Sequence, residues 1–123
     1  MQHVVLDWND IESDRKTISK RIDFFLGKPN VCSSGTLFVG KFYGVIANVK
    51  TIEAMRRKGW GTKLIKAIES RAKSYSLRAV TLRVEKNTFM QKWYIKLGYS
   101  FYADDAENKK YEWLVKQFCY ESK

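Results

Sequence analysis

The sequence has few of the side chains on which metal sites and thiol frameworks depend. Among 123 residues there are two cysteines, Cys32 and Cys119, and a single histidine, His3. Zinc sites require three or four sulfur, nitrogen or carboxylate ligands at regular spacings, so the sequence predicts no metal. A nucleophilic mechanism with a histidine base would have to use His3 in the first predicted strand, which argues against one. The two cysteines are more typical of free thiols than of a disulfide.

Segments that address or anchor a protein to a membrane are also missing from the sequence. No apolar run approaches the roughly 20 residues of a membrane-spanning helix. The start, Met-Gln-His-Val-Val-Leu-Asp-Trp, lacks the basic end and long apolar centre of a signal peptide. Hydrophobic residues make up 45% of the chain, and its length predicts one folded domain over residues 1–123. We therefore expect a cytoplasmic location.

Acidic residues are in the minority. The chain carries 23 lysines and arginines against 13 aspartates and glutamates, a net charge of +10. A surplus of this sign attracts polyanions, so the expected partners are a phosphorylated cofactor, a nucleic acid or an acidic protein surface. No nucleic-acid-binding motif supports the second of these. A polycationic substrate such as a polyamine is disfavoured.

Hydrophobic periodicity and turn residues predict an alternation of strands and helices. The predicted strands lie within 36–48 and at 3–8, 45–52, 78–85, 99–102 and 111–118. The predicted helices lie at 10–26, at 62–76 and from a cap at Asn87 or Thr88 to residue 97, and 31–35 is predicted as a loop. Glu69 and Lys73 have the i, i+4 spacing of a surface ion pair. This order predicts an α/β fold with a right-handed crossover around the second helix.

One turn in this layout has the character of an anion site. Gly59 and Gly61 follow a predicted strand and open the second helix, where backbone N–H groups are unpaired and the helix dipole is positive. The sequence therefore predicts a phosphate or pyrophosphate cradle, formed by the N–H groups and basic side chains of Arg56, Arg57, Lys58, Gly59, Trp60, Gly61, Thr62 and Lys63. Neither the P-loop nor the dinucleotide fingerprint is present. A turn that needs two glycines beside solvated cations is the alternative interpretation.

Two motifs in this order resemble the GCN5-related N-acetyltransferase (GNAT) superfamily. The coenzyme motif of that family, Arg/Gln-x-x-Gly-x-Gly/Ala, stands here as Arg56-Arg-Lys-Gly59-Trp-Gly61. Its second motif stands as Asn87-Thr-Phe-Met-Gln-Lys-Trp-Tyr94-Ile-Lys-Leu-Gly-Tyr99. The resemblance covers about residues 45–118, which it implies to be an acetyl-CoA-binding core. Residues 1–44 resemble the family only in general layout.

The resemblance implies a mixed, mostly antiparallel central sheet with helices on both faces and a shortened N-terminal half. Acetyl-CoA would be the co-substrate, with its pyrophosphate in the predicted cradle. Val49, Lys50 and Thr51 would pair through their backbone with the pantetheine arm, and the strand ending at 83–85 would part from theirs to admit it. Asn87 would hydrogen-bond the same arm, and Tyr94 would protonate the departing thiolate.

Several positions depart from the family pattern or have a simpler interpretation. Val45 stands where some relatives carry a glutamate base, so the proton is expected to leave through ordered water. Met90 replaces a small alanine, and the first half has one predicted helix where the family usually has two, which leaves the acceptor side open. Tyr94 could instead be a core tyrosine, and Asn87 only a helix cap.

The sequence-based hypothesis is an acetyl-CoA-dependent N-acetyltransferase that acts on a primary amine, with a protein or peptide as acceptor. The alternative is a non-catalytic binding module of the same fold for nucleic acid or an acidic protein. The closing strand at 111–118 has an apolar face and could mediate dimerisation, so a monomer or a homodimer is expected.

Overall fold

A computed structural model describes residues 18–27, 30–51 and 59–120. Within these residues, six strands form one sheet and two helices pack on it. In chain order the elements are β1 (Lys20–Leu26), β2 (Ser33–Val39), β3 (Tyr43–Thr51), α1 (Trp60–Ser74), β4 (Ala79–Glu85), α2 (Phe89–Lys96), β5 (Ser100–Asp104) and β6 (Tyr111–Gln117). The predictions at 3–8 and 10–17 lie outside the described residues.

The sheet is mixed and mostly antiparallel, as predicted. Its strand order is β1-β2-β3-β4-β6-β5. Only β3 and β4 run parallel, because α1 connects them as a crossover helix. The pairs β1–β2, β2–β3, β4–β6 and β5–β6 are antiparallel.

The main core lies between one face of this sheet and both described helices. On α1 the apolar residues Leu64, Ile65 and Ile68 recur at helical spacing and are buried. They share a cluster with Val80 and Leu82, which alternate along β4, and with residues of α2. Burying a side chain of this size stabilises the fold by roughly 1.5–3 kcal/mol. In the described part of the chain, no helix is long and apolar enough to span a membrane.

The predicted helix at 10–26 is wrong over its last seven residues, which form β1. Ile22, Phe24 and Leu26 are partly buried and pack on the core. Arg21 and Phe25, which alternate with them, are exposed. This is the two-residue period of a strand, and β1 pairs along its whole length with β2.

Two other local predictions are corrected. The predicted loop at 31–35 is strand from Ser33 onward. Glu69 does not stand on the surface with Lys73, because its side chain is buried. Its carboxylate accepts hydrogen bonds from the Tyr99 hydroxyl at 2.7 Å and from Lys116 Nζ at 3.0 Å. Tertiary partners just before β5 and on β6 thus replace the local i, i+4 pair.

The predicted closing strand exists as β6, but it is not exposed. It lies between β4 and β5 and pairs with both, and Glu112, Trp113, Leu114 and Val115 are buried. A strand with two neighbours has no free edge to offer a second chain. The dimerisation that we expected through this strand therefore has no surface there.

Candidate active site

The two parallel strands at the centre of the sheet separate before they end. β3 and β4 pair from Tyr43–Ala79 to Ile46–Leu82. Beyond that pair, β3 continues to Thr51 and β4 continues to Glu85 without pairing to each other. The resulting cleft opens at the carboxyl ends of the strands, where ligands bind open α/β sheets. The resemblance predicted this separation.

A β-bulge in β3 accounts for the separation. Ser34 pairs with Lys50 while Thr36 pairs with Ala47, so β3 carries one more residue than β2 over this interval. Within it, Asn48 has a φ of 57°, a left-handed conformation that asparagine tolerates better than most residues. A bulge bends its strand and increases the local twist. Because the bulge follows directly on the last β3–β4 pair, it turns the end of β3 away from β4.

The end of β3 is held in place from the side of β2. Ser33 is buried, and its hydroxyl donates to the Lys50 carbonyl at 3.0 Å and lies 2.9 Å from the Thr51 hydroxyl. Val49 is partly buried and packs on the core. The edge of Val49–Thr51 that faces β2 is therefore fixed, while these residues do not pair with β4. No sequence pattern indicates the role of Ser33, because its position depends on strand pairing.

The N-terminus of α1 lies beyond this end of β3. Gly59 precedes the helix with a φ of 85°, its carbonyl accepts from the Lys63 N–H at 3.0 Å, and no described side chain caps the first turn. A Cβ added at Gly59 would meet no atom of the described residues within 4 Å, and the positive φ is the feature that calls for glycine here. The first turn carries no acidic residue, and Lys63 Nζ lies 4.9 Å from the Trp60 ring. Arg56, Arg57 and Lys58 lie outside the described residues.

Gly61 is the point at which α1 and α2 meet. A Cβ at this position would lie 3.2 Å from the indole of Trp93 and 3.5 Å from Thr51 Oγ1. Only a residue without a side chain fits this gap closely. Trp93, which the sequence indicated as core, is partly buried against the core and lies beside the α1 backbone at Gly61.

The start of α2 settles which residue caps that helix. The Thr88 hydroxyl accepts from the Gln91 N–H at 3.3 Å and donates to the Glu85 carbonyl at 2.7 Å, so Thr88 is the cap. Asn87 precedes it with a φ of 60° and an exposed side chain. Its backbone N–H donates to Gln91 Oε1 at 2.9 Å. The side-chain amide of Asn87 is therefore exposed to a ligand. Among the described residues, no contact connects Asn87 with the group around Gly61.

Tyr94 lies deeper in the same helix and is 5% exposed. Its ring centroid is 4.9 Å from that of Trp93 and 5.7 Å from that of Tyr99. Burial raises the pKa of the Tyr94 hydroxyl to about 12, because the ionised phenolate would lose its hydration. The group is protonated at neutral pH and can act as a proton donor. Through Trp93 the structure brings Thr51, Gly61 and Tyr94 into one continuous set of contacts.

Comparison with known proteins decides the family. The sequence model of the acetyltransferase (GNAT) family matches residues 19–99. The chain belongs to the GNAT acetyltransferase family. No curated protein sequence matches it.

Solved structures show the same fold. An acetyltransferase from Bacillus cereus has a TM-score of 0.71 at 16% identity, over 95% of this chain and 98% of that one. The PaiA N-acetyltransferase from Thermoplasma acidophilum, solved with coenzyme A, scores 0.73 at 13% identity over 89% and 68% of the two chains. A GNAT acetyltransferase from Elizabethkingia anophelis with acetyl-CoA bound scores 0.69 at 14% identity over 91% and 84%.

The position at which some GNAT relatives carry a glutamate base holds Val45, and the structure places this residue inside the paired part of β3. It is half-buried and pairs with Phe38 and Thr81. Of the carboxylates close to the motifs in sequence, Glu85 is described and exposed at the end of β4, whereas Asp7 and Glu53 lie outside the described residues. Among the residues that the structure describes, no group of three His, Cys, Asp or Glu side chains could hold a metal ion.

Proposed function

We propose that this acetyltransferase binds acetyl-CoA in the cleft between β3 and β4 and transfers the acetyl group directly to a primary amine. The observation that carries the proposal is the end of β3–β4 pairing after Ile46–Leu82. Beyond this pair the end of β3 does not pair with β4, and it lies beside a helix N-terminus that no described side chain caps. A long, phosphorylated ligand needs both features in this order.

Each predicted site residue has a place in this proposal. The coenzyme's pyrophosphate binds at the first turn of α1, on the N–H groups of residues 59–63, with Arg56, Arg57 and Lys58 adding charge. The pantetheine arm lies along the backbone of Val49, Lys50 and Thr51, with Asn87 donating to it from the other side. The two neighbouring structures that hold coenzyme A or acetyl-CoA support this class of ligand.

The chemistry requires orientation of the amine, hydrogen bonds to the thioester oxygen and a proton for the leaving thiolate. Backbone N–H groups of Val49–Thr51 are suited to the oxygen because this part of β3 lies beyond the last pair with β4, at the opening of the cleft. Tyr94 is suited to the thiolate because its high pKa keeps the hydroxyl protonated. The attacking amine loses its proton to ordered water, since Val45 cannot act as a base.

For the acceptor we propose an amine on a protein or peptide. A net charge of +10 repels a polycation, so electrostatic repulsion would oppose the binding of a polyamine. A peptide brings one amine without that penalty. A cytoplasmic location and a monomer or homodimer remain predictions from the sequence.

The test of the coenzyme site is calorimetric titration with acetyl-CoA of the wild type and of two variants at position 59. Gly59→Ala and Gly59→Glu share the backbone strain of a left-handed residue, roughly 1–2 kcal/mol, and the Cβ atom that both introduce meets no described atom within 4 Å. Only the glutamate brings a negative charge to the proposed pyrophosphate site. We expect micromolar binding by the wild type, modest weakening by alanine and at least about a tenfold further loss with glutamate.

Equal binding by both variants would show that the cradle is misplaced. A folded wild type that does not bind at millimolar acetyl-CoA would refute the proposed coenzyme site altogether. Desulpho-coenzyme and ATP serve as ligand controls, because binding that depends on the whole coenzyme distinguishes this cleft from a general anion site.

The role of Tyr94 is tested by Tyr94→Phe, which keeps the ring contacts and removes the hydroxyl. Loss of a general acid lowers kcat by roughly 10²- to 10⁴-fold, with KM for acetyl-CoA little changed. An unchanged kcat would make Tyr94 a core residue only.

A further inference from the structure

The end of the sheet opposite to the N-terminus of α1 gathers cationic side chains from four separate elements. We call this surface the basic end and define it by Lys20 on β1, Lys41 in the β2–β3 turn, Arg71 and Lys73 in the last turn of α1, and Arg78 before β4. All five residues are exposed. The 15 residues of α1 separate this end from the proposed pyrophosphate site, a distance of about 22 Å at 1.5 Å per residue.

These cations lie against aromatic rings. The Arg78 guanidinium is 4.3 Å and Lys41 Nζ 5.2 Å from the centroid of Phe42. Lys73 Nζ is 5.3 Å from the centroid of Phe118. On the β1 side, Lys20 Nζ is 5.1 Å from the ring of Tyr75.

Backbone hydrogen bonds join these groups into one continuous surface. The Arg78 N–H donates to the Phe42 carbonyl at 2.7 Å, and the Phe118 N–H donates to the Arg78 carbonyl at 2.9 Å. The hydroxyl of Tyr120, which is 45% exposed, donates to the Leu77 carbonyl next to Arg78. The backbone segments that carry Phe42, Arg78 and Phe118 are therefore joined to one another.

No carboxylate neutralises the basic end within the described part of the chain. The ion pairs described there use Asp23, Glu69, Asp104 and Asp105, and none of these involves a residue of the basic end. Aspartates 104 and 105 lie at the β5–β6 hairpin, near the carboxyl end of β4. Positive charge at the basic end is thus left available for an external anion.

Interaction with the dipole of α1 explains only part of the clustering of cations at the basic end. Arg71 and Lys73 lie in the last turn of α1, where a cation interacts favourably with the helix dipole. Lys20, Lys41 and Arg78 come from a strand and two connections, where no helix ends. Their convergence on the same surface is a property of the fold.

We propose that the basic end binds single-stranded nucleic acid. Cations spaced along a surface fit a phosphate backbone, and the ring of Tyr120 beside them, which is 45% exposed, offers a platform on which a base stacks. An acidic protein would use the cations but gain little from the rings. The ring positions therefore favour nucleic acid over an acidic polypeptide.

The test is fluorescence anisotropy with a labelled 20-nucleotide RNA of mixed sequence, over a range of salt concentrations. The test variant is Lys41→Gln/Arg78→Gln, which removes the two cations over Phe42. The matched control is Lys109→Gln/Lys110→Gln, which removes the same charge from exposed positions in the β5–β6 loop. Far-UV circular dichroism and melting curves verify that both variants fold.

We expect the test variant to bind about tenfold more weakly at low salt, and its salt slope to fall by about 1.4 for two lost phosphate contacts. The control should stay within about twofold of the wild type. Equal weakening of both variants would show a general charge effect and overturn the proposal, as would a wild type that does not bind RNA at 50 mM salt.

Two further arms separate the alternatives. Tyr120→Leu removes the stacking platform but no charge, and we expect RNA binding to weaken roughly fivefold or more. If Tyr120→Leu leaves RNA binding unchanged and poly-glutamate competes as well as RNA, the surface is a site for acidic polypeptides and the proposal is wrong. Saturating acetyl-CoA should not displace the RNA; displacement would place the RNA in the coenzyme cleft instead.

Discussion

The buried carboxylate of Glu69 offers the sharpest test of how the helices are fixed to the sheet. It accepts from the Tyr99 hydroxyl at 2.7 Å and from Lys116 Nζ at 3.0 Å, and Lys116 also donates to the Leu97 carbonyl at 2.9 Å. The network thus joins α1, the end of α2 and β6. Burial, followed by the Glu69 charge, raises the pKa of Tyr99, so this hydroxyl keeps its proton and donates.

We predict that Glu69→Ala lowers the free energy of unfolding by roughly 3 kcal/mol. A hydrogen bond to a charged group contributes about 1.5–3 kcal/mol, but the Lys116 side chain is 30% exposed and recovers part of its loss through hydration. For a chain of this size the change corresponds to a fall in Tm of about 9–15 °C. The assay is urea unfolding followed by tryptophan fluorescence.

A double-mutant cycle isolates the ion pair. Glu69→Gln and Lys116→Met each leave one charged partner behind, so we expect the double variant to be less destabilised than the sum of the two by about 1–2 kcal/mol. Lys66→Met, an exposed position on the same helix, is the control and should change stability by less than about 0.5 kcal/mol. Strict additivity of the two substitutions would refute the buried network.

Three further predictions concern other parts of the sheet. A hydrogen bond from Arg83, the largest of several causes, lowers the pKa of Asp105 to about 2 from 3.8. The ionised Asp105 carboxylate therefore stabilises the fold fully above about pH 4, and this stabilisation is lost as the pH falls towards 2. In Asp105→Asn, the urea midpoint of unfolding should depend less on pH over that range. Gly44→Ala would place a Cβ 2.9 Å from the nearest core methyl. Overpacking of this kind destabilises a fold by roughly 1–3 kcal/mol, so calorimetry should show a lower Tm for this variant. Gly61→Val should weaken acetyl-CoA binding because it displaces Trp93, and Trp93→Leu in the same chain should restore binding; binding unaffected by Gly61→Val would contradict the contact.

Residues 59–120 were largely predictable because local signals and long-range packing agree there. The alternation of β4 and the apolar stripe of α1 each match a single period, and the predicted elements appear with shifts of one or two residues at most ends. The sequence predicts Asn87 or Thr88 as the cap of α2, and the hydrogen bond from the Gln91 N–H identifies Thr88. Such elements are specified by residues that lie within them.

Residues 20–26 could not be assigned from local pattern because two periods fit them. Ile18, Ile22 and Phe25 follow a helical spacing, whereas Ile22, Phe24 and Leu26 follow a strand spacing. Short apolar segments remain ambiguous on periodicity alone. Pairing with β2 decides that this segment is a strand. The pattern within residues 20–26 does not show which segment they will pair with.

The position of β6 and the burial of Glu69 were unpredictable for a related reason. Sequence order suggests that the last strand lies at an edge, but β6 is inserted between β4 and β5. This insertion brings Lys116 to α1, where it compensates Glu69. Glu69, one helical turn before Lys73, is therefore buried, and the i, i+4 spacing of the two residues does not indicate this burial.

The cleft itself depends on two features that only make sense together. The bulge at Asn48 turns β3 from β4, and a divergence of this kind would leave a void under the end of β3 if nothing filled it. Trp93 on α2 lies against the α1 backbone at Gly61, next to Thr51 at the end of β3. A larger residue at position 61 would push the indole away from this contact. Because the bulge and the Gly61–Trp93 contact are both features of the protein's own packing, we expect the separation of β3 from β4 to persist without a ligand.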